Sequence, residues 1–354
     1  MSSPNRSLLS QLSTIVTVDI DSMDPAAALR HESGTFADMT SNQAIVYAQA
    51  IKPENEGLVR EAVEYVRASN SGAPAEPAKY LREVVDVVTV RLAKLVYPHL
   101  KGKVHAQTSP VFAYDTAQTI LHARRLVALF EEHGIPRSRV CIKIPATPES
   151  ILACRALSSP EEGSAEQPIH TLATCVFSVA QARAAVQASC TYVAPYFNEL
   201  RVHFEPSLWK EYEQPATQHP MSPVISAMIE ALKGSKTLVM PASIVTVPEV
   251  LGLASLRPDH LTISAPLLDK LAALPAVPES QLAPVIHESS KDDASDIDYL
   301  ATEAVHLKEA FMCEPDISRR LVDALTLFGE CERRAMEFVR SGAIGVAWDG
   351  VSGW

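Results

Sequence analysis

The stretch RVCIKIPATPES, residues 139–150, decides the fold. Val140, Ile142 and Ile144 are β-branched and alternate with Cys141 and Lys143, so the run reads as a strand of period two. Pro145 has no N–H to give to a ladder and stops the strand. Lys143 therefore stands near the C-terminal end of a strand otherwise composed for a dry core. Taken alone, a lysine there is more often a snorkelling side chain that reaches solvent or a carboxylate. The other reading is an amine kept out of water for chemistry.

The neighbouring sequence repeats the same unit. Short β-rich runs fall at 14–19, 35–39, 103–108, 139–144, 169–177, 191–197, 236–240 and 260–264. Amphipathic stretches lie between them, notably 78–100 and 116–134, with apolar residues at three- and four-residue steps. The second follows a cap at Asp115-Thr116 and stops at Gly134 with Pro136 beyond it. Strands separated by helices pair in parallel, because parallel neighbours need crossover connections. Eight of them close a (β/α)8 barrel. A doubly wound open sheet is the alternative, but no glycine-rich phosphate loop supports it. The expected organisation is one domain over 1–354. It has a barrel over about 12–275, added C-terminal helices over about 290–341 and a tail over 342–354. Segments 71–79 and 204–222 read as insertions.

Composition limits the partners. The chain has 354 residues, 47% hydrophobic and 21% charged, with a net charge of −11 and an isoelectric point near 5.5. An acidic surface without a Lys/Arg-rich run points away from nucleic acid and anionic membranes. No basic segment followed by a long apolar one opens the chain, so no signal peptide is expected, nor is there a run of membrane-spanning length. Six cysteines without CxxC spacing read as reduced, buried thiols in a cytoplasmic compartment.

In such a barrel, side chains at the C-terminal ends of the strands surround the mouth. Asp19, Asn42, Gln107, Lys143, Thr174, Tyr196, Ser243 and Ser264 make that ring. Enclosure disfavours an ammonium ion and lowers its pKa. A neutral amine attacks a ketone to form a Schiff base, whose cationic nitrogen draws electrons from the adjacent carbon. That is the requirement for aldol chemistry on a small-molecule carbonyl substrate, with no metal or organic cofactor. Gln107, Thr174 and Tyr196 taken singly are ordinary structural hydrogen-bonders.

The motifs together resemble the transaldolase family. VCIKIPAT, preceded by YDTAQTILHARRLVALFEEHGIPRSR, is similar to its signature, and VTVDIDS, ADMTSN, CVFSVAQARAAVQA, YVAPYFNEL and TLVMPAS follow in the family's order over about residues 10–340. The resemblance implies a (β/α)8 enzyme, monomer or homodimer, with Lys143 as the Schiff-base lysine. It makes Asp19 the acid/base of carbon–carbon cleavage and Asn42 a partner of substrate hydroxyls. Thr174 becomes a holder of the catalytic water, and Ser243 part of the phosphate end.

Four departures stand out. Gln107 occupies the place of a glutamate that exchanges protons with the catalytic water, and an amide cannot do that. Tyr196 replaces phenylalanine, and with Gln107 it is similar to the fructose-6-phosphate aldolase branch. Val245 and Glu199 stand where the family has phosphate-binding arginines, whose fixed bidentate donors suit that group. Arg201 or His203 restores one contact if the loop shifts by two residues. Leu172 and Ala194 replace an asparagine and a serine of the pocket and make it more apolar. The expectation is a transaldolase-like aldolase or transferase acting on a non-phosphorylated carbonyl compound in a specialised pathway. The alternatives are an ordinary pentose-phosphate transaldolase and a non-catalytic binding protein on the same barrel.

Overall fold

The computed structural model describes residues 6–32, 34–69, 76–160, 166–287 and 296–341. The expected tail and part of the 71–79 insertion lie outside them. The parallel strands are β1 (Thr17–Asp21), β2 (Val104–Gln107), β3 (Val140–Pro145), β4 (His170–Val176), β5 (Tyr192–Pro195), β6 (Leu238–Val239) and β7 (His260–Ser264). Strands β2 to β6 lie side by side in chain order, and β7 pairs with β1. Two seams join these sheets. Met39 bridges Ile20 of β1 and Val104 of β2. Across the other seam, Val239 N–H donates to Asp259 Oδ2 at 2.8 Å and Thr262 N–H to Pro241 O at 3.3 Å. The eight positions close into the (β/α)8 barrel expected from the sequence.

Strands β5 and β6 are shorter than expected, and two other strands depart further, each for a visible reason. The first was expected over 14–19 and runs over Thr17–Asp21. Ile15 and Val16 donate their N–H groups to Leu12 O at the end of helix Leu8–Leu12, so the ladder cannot begin before Thr17. Asp21, not Asp19, is thus its last residue. The strand expected over 35–39 is reduced to the bridge at Met39. Here the Asp38 carboxylate takes the Lys103 N–H at 2.7 Å, and the 101–102 turn occupies the carbonyls of Phe36 and Ala37.

The helices follow the sequence pattern more closely. Thr116–Glu132 begins with Asp115 Oδ1 accepting from Gln118 N–H at 2.9 Å, and Gly134 leaves it at φ +85°. Pro77–Val96 is amphipathic, and the chain then passes into a 3₁₀ turn at Tyr97–His99. The C-terminal pair is Ala301–Cys313, with a left-handed turn at 302–304, and Pro315–Arg340. That last helix lays Ile317, Leu321, Ala324, Leu325 and Phe328 on the barrel, against Phe177, Tyr196 and Ala242. Its apolar stripe at three- and four-residue spacing therefore covers one side of the barrel mouth. The cysteines are free; five are buried, and Cys313 is exposed because it ends an outer helix. Among the described residues, no helix is long and apolar enough to cross a membrane.

Candidate active site

Lys143 enters the barrel from β3, in register with Gln107 on one side and Leu172 on the other. Only 2% of it is exposed. Burial lowers its pKa from the usual lysine value, against the pull of the Asp21 carboxylate and the weaker pull of Cys175 and Cys141. Its Nζ lies 5.9 Å from the centre of the Tyr196 ring. The partial positive potential of a helix end or a second cation is not what depresses this amine; desolvation is.

The two aspartates of β1 share one face by strand alternation, yet they have different surroundings. Asp19 lies deep, fully buried, with Oδ1 accepting from Asp38 N–H at 2.8 Å and Oδ2 paired with His260 Nδ1 at 2.8 Å. Burial drives its pKa up, opposed by His260. Beside it, His105 Nε2 pairs with Asp38 Oδ2 at 2.8 Å. Asp19 thus belongs to a polar network one layer below the mouth. Asp21, partly exposed at the strand's end, accepts from Thr40 Oγ1 at 2.7 Å. Its charge acts on Lys143, His203 and Tyr196 together. The structure brings Asp21 to the lysine and leaves Asp19 beneath it.

Thr174 and Tyr196 close the ring on the far side. Thr174 Oγ1 donates to the Tyr196 hydroxyl at 3.2 Å. Cys175, at φ +57° in a bulge between β4 and β5, also contacts that hydroxyl. Burial drives the Tyr196 hydroxyl well above the usual phenol range, with Cys175 adding to the effect. This phenol keeps its proton and acts as a fixed donor. Gln107 Nε2 donates to Gln43 Oε1 at 2.7 Å, while Gln107 Oε1 is buried without a protein partner. Asn42 caps helix Gln43–Ala50, its Oδ1 accepting from Ile45 N–H at 3.0 Å. The cap uses the carbonyl oxygen and does not occupy the amide N–H₂. Leu172 and Ala194 pack with Cys141, Tyr192 and Met240 inside the barrel. They are two residues before Thr174 and Tyr196 on their strands, so they form the pocket's apolar floor.

The end of the site at Ser243 carries no arginine. Ser243, at φ +61°, bonds His203 Nε2 at 2.9 Å. The His203 side chain is open to solvent, with crowding that lowers its pKa opposed by the carboxylates of Asp21 and Glu249. An imidazole, not a guanidinium, is what bonds Ser243. Arg201 lies 3.7 Å from Glu205 and 3.8 Å from Asp323, and lines a cavity of about 390 Å³ with Asn198, Lys210, Arg319 and Arg320. Glu199 is held by Arg319 through bonds of 3.0 and 2.8 Å, which keep its pKa below the usual carboxylate range. The carboxylate of Glu199 is thus paired with the C-terminal helix. Val245 N–H donates to buried Glu249 at 2.7 Å, and the 204–222 insertion is anchored there through Trp209 Nε1 at 2.8 Å. Among the described residues, no group of three His, Cys, Asp or Glu side chains is placed to hold a metal.

A family described as Transaldolase/Fructose-6-phosphate aldolase matches residues 17–312, most of the chain. The chain belongs to this family. It is 31% identical to the transaldolase of Saccharomyces cerevisiae over 84% of this chain and 87% of that one. It is 30% identical to the transaldolase of Schizosaccharomyces pombe over 73% and 74% of the respective chains. For the transaldolase of Shewanella baltica the identity is 29%, over 75% and 78%. Family members are enzymes, and this chain is one.

Sequence reasoning put Asp19, not Asp21, at the end of the first strand. The signal for Asp21 was present in DID at 19–21, where alternation sends both carboxylates to one face. Only the place where helix Leu8–Leu12 releases the chain tells which of them ends the strand. Glu332, buried on the C-terminal helix, gave no sequence signal.

Proposed function

We propose that this enzyme makes or breaks a carbon–carbon bond by class I aldol chemistry on Lys143, with a small sugar-like carbonyl compound that carries no phosphate. The observation that supports it most is the desolvated amine of Lys143 at the strand's C-terminal end, facing the carboxylate of Asp21. Nζ adds to the donor ketone, and the carbinolamine loses water to give an iminium ion. Asp21 takes the proton from the hydroxyl on the far carbon of the bond that breaks, that carbon leaves as an aldehyde, and an enamine remains on Lys143. Reversal with a second aldehyde makes the enzyme a transferase; protonation and hydrolysis make it a lyase. Asn42 holds donor hydroxyls. Thr174 and Tyr196 hold the water, Tyr196 by donating to it.

The distal end argues for an uncharged substrate. Phosphate recognition rests on charge-assisted donors, and here Ser243 is met by an imidazole, with Arg201 and Arg319 engaged with carboxylates. Free cysteines suit a reducing, cytoplasmic setting. The relatives' names favour a second reading, an ordinary transaldolase that moves dihydroxyacetone between sugar phosphates. Steady-state turnover of fructose 6-phosphate with erythrose 4-phosphate separates the two. Robust turnover at low substrate supports the second reading, and activity confined to unphosphorylated ketoses supports the first.

A further inference from the structure

Gln107 leaves a proton unaccounted for. Loss of water from the carbinolamine needs a proton on the departing oxygen: the C–O bond breaks, its electron pair leaves with water, and the nitrogen lone pair forms C=N⁺. Gln107 cannot give that proton, and Tyr196 holds its own tightly. A carboxyl group lies nearby on another element. Glu332 of helix Pro315–Arg340 is 5% exposed and accepts from Ser109 Oγ at 2.8 Å. It lines a closed space of about 20 Å³ together with Gln107, Gln43, Asn42, Asp86 and His122. One water needs roughly 10–15 Å³ and two or more polar partners, and both are present. The orphaned Gln107 Oε1 is one such partner.

We propose that Glu332 is the proton store for Schiff-base formation, acting on the Lys143 site through a water held between its carboxyl group and the Gln107 amide. Glu332 gives its proton through that water to the carbinolamine oxygen and becomes a carboxylate. When the iminium is hydrolysed, the entering water loses a proton along the same route and Glu332 is restored, so the cycle is balanced. Glu332 is a positioning and proton-holding residue rather than one that touches substrate. Its surroundings suit the task. Burial raises its pKa from the carboxylate value, against the pull of Arg82, the Ser109 hydrogen bond and His122, with Asp86 adding to the rise. Arg82 Nε lies 3.5 Å away. His122 accepts Ser109 N–H at Nδ1 (3.0 Å) and so presents Nε2–H to Asp86 at 3.0 Å, with Arg125 3.6 Å behind that carboxylate. Gln107 and Glu332 thus divide a function: one orients the water, the other holds the proton.

This inference rests on the Schiff-base reading, and the test separates the two. Borohydride trapping of dihydroxyacetone, hydroxyacetone and fructose on the full chain is followed by peptide mass at Lys143, across pH. Glu332→Gln is expected to slow trapping by about 10²-fold or more, the low end for a positioned acid, with ketone affinity unchanged. It should also abolish the fall in rate as pH rises and Glu332 loses its proton. Adding Gln107→Glu to that variant should restore the rate, which a merely structural role for Glu332 would not allow. Trapping by Glu332→Gln at the wild-type rate and with the wild-type pH profile overturns the inference. So does a folded double variant no faster than Glu332→Gln. If Glu332→Gln does not fold, Gln107→Glu alone must still trap faster than wild type, and failure to do so overturns it. Absence of any adduct in wild type removes the Schiff-base reading itself and this inference with it.

Discussion

Asp21→Asn and Asp19→Asn should fail in opposite ways. Asp21 sits at the mouth beside Lys143, with a single side-chain hydrogen bond to Thr40. Its amide cannot accept the hydroxyl proton, so the carbon–carbon step should slow by about 10²–10⁴-fold, the contribution of a positioned acid/base. Stability should change little, because Asn keeps an acceptor for Thr40 and the site is partly open. Asp19 instead accepts from the Asp38 N–H and pairs with His260 inside the barrel. Asn in its place keeps one neutral bond and leaves His260 without its carboxylate. Hydrogen bonds to charged groups are worth roughly 1.5–3 kcal/mol, and breaking a buried pair roughly 3–5. Asp19→Asn should therefore cost about 2–5 kcal/mol of stability while the folded fraction keeps its turnover. Urea unfolding gives the first quantity, and single-turnover cleavage of an unreduced ketose donor gives the second. A stable, inactive Asp19→Asn together with an active Asp21→Asn would refute the assignment.

Lys143→Met should abolish trapping and raise the unfolding midpoint at pH 7. A lysine whose folded pKa is depressed binds fewer protons folded than unfolded, so wild-type stability rises with pH up to the unfolded value near 10.4. The gap between variant and wild type should shrink as pH approaches that value; a gap independent of pH would contradict the burial of this amine. Tyr196→Phe should slow Schiff-base hydrolysis, since it removes the fixed donor that Thr174 holds at 3.2 Å, and an unchanged burst and steady-state rate would show that the water is held without it. Val245→Arg should improve the Michaelis constant for fructose 6-phosphate by about one to two decades, the worth of one charge-assisted pair, with free ketoses unaffected. Glu199→Arg, by contrast, should chiefly break the Arg319 pair and loosen the C-terminal helix, seen as faster amide exchange over 315–328.

The barrel was legible because its strands declare themselves by alternation and their register by the C-terminal polar residue. Lys143, Gln107, Thr174 and Tyr196 stand where strand ends put them. Asp19 was misplaced because strand β1 begins only where the preceding helix releases its carbonyls, and that boundary is a matter of hydrogen-bond competition at Ile15 and Val16. The distal end was half legible. Loss of arginine at Val245 and Glu199 could be read from the chain, whereas the capture of Glu199 by Arg319, 120 residues away, could not. The same holds for Glu332, which comes to share a small space with Gln107 only because the last helix folds back on the barrel.

Reductive trapping on the wild-type enzyme tests the central claim most directly. With an unphosphorylated ketose and borohydride, the account predicts a single covalent adduct, carried by the peptide containing Lys143, forming at neutral pH and more readily than with fructose 6-phosphate. No adduct with any ketone offered, or an adduct on a lysine other than Lys143, would contradict it.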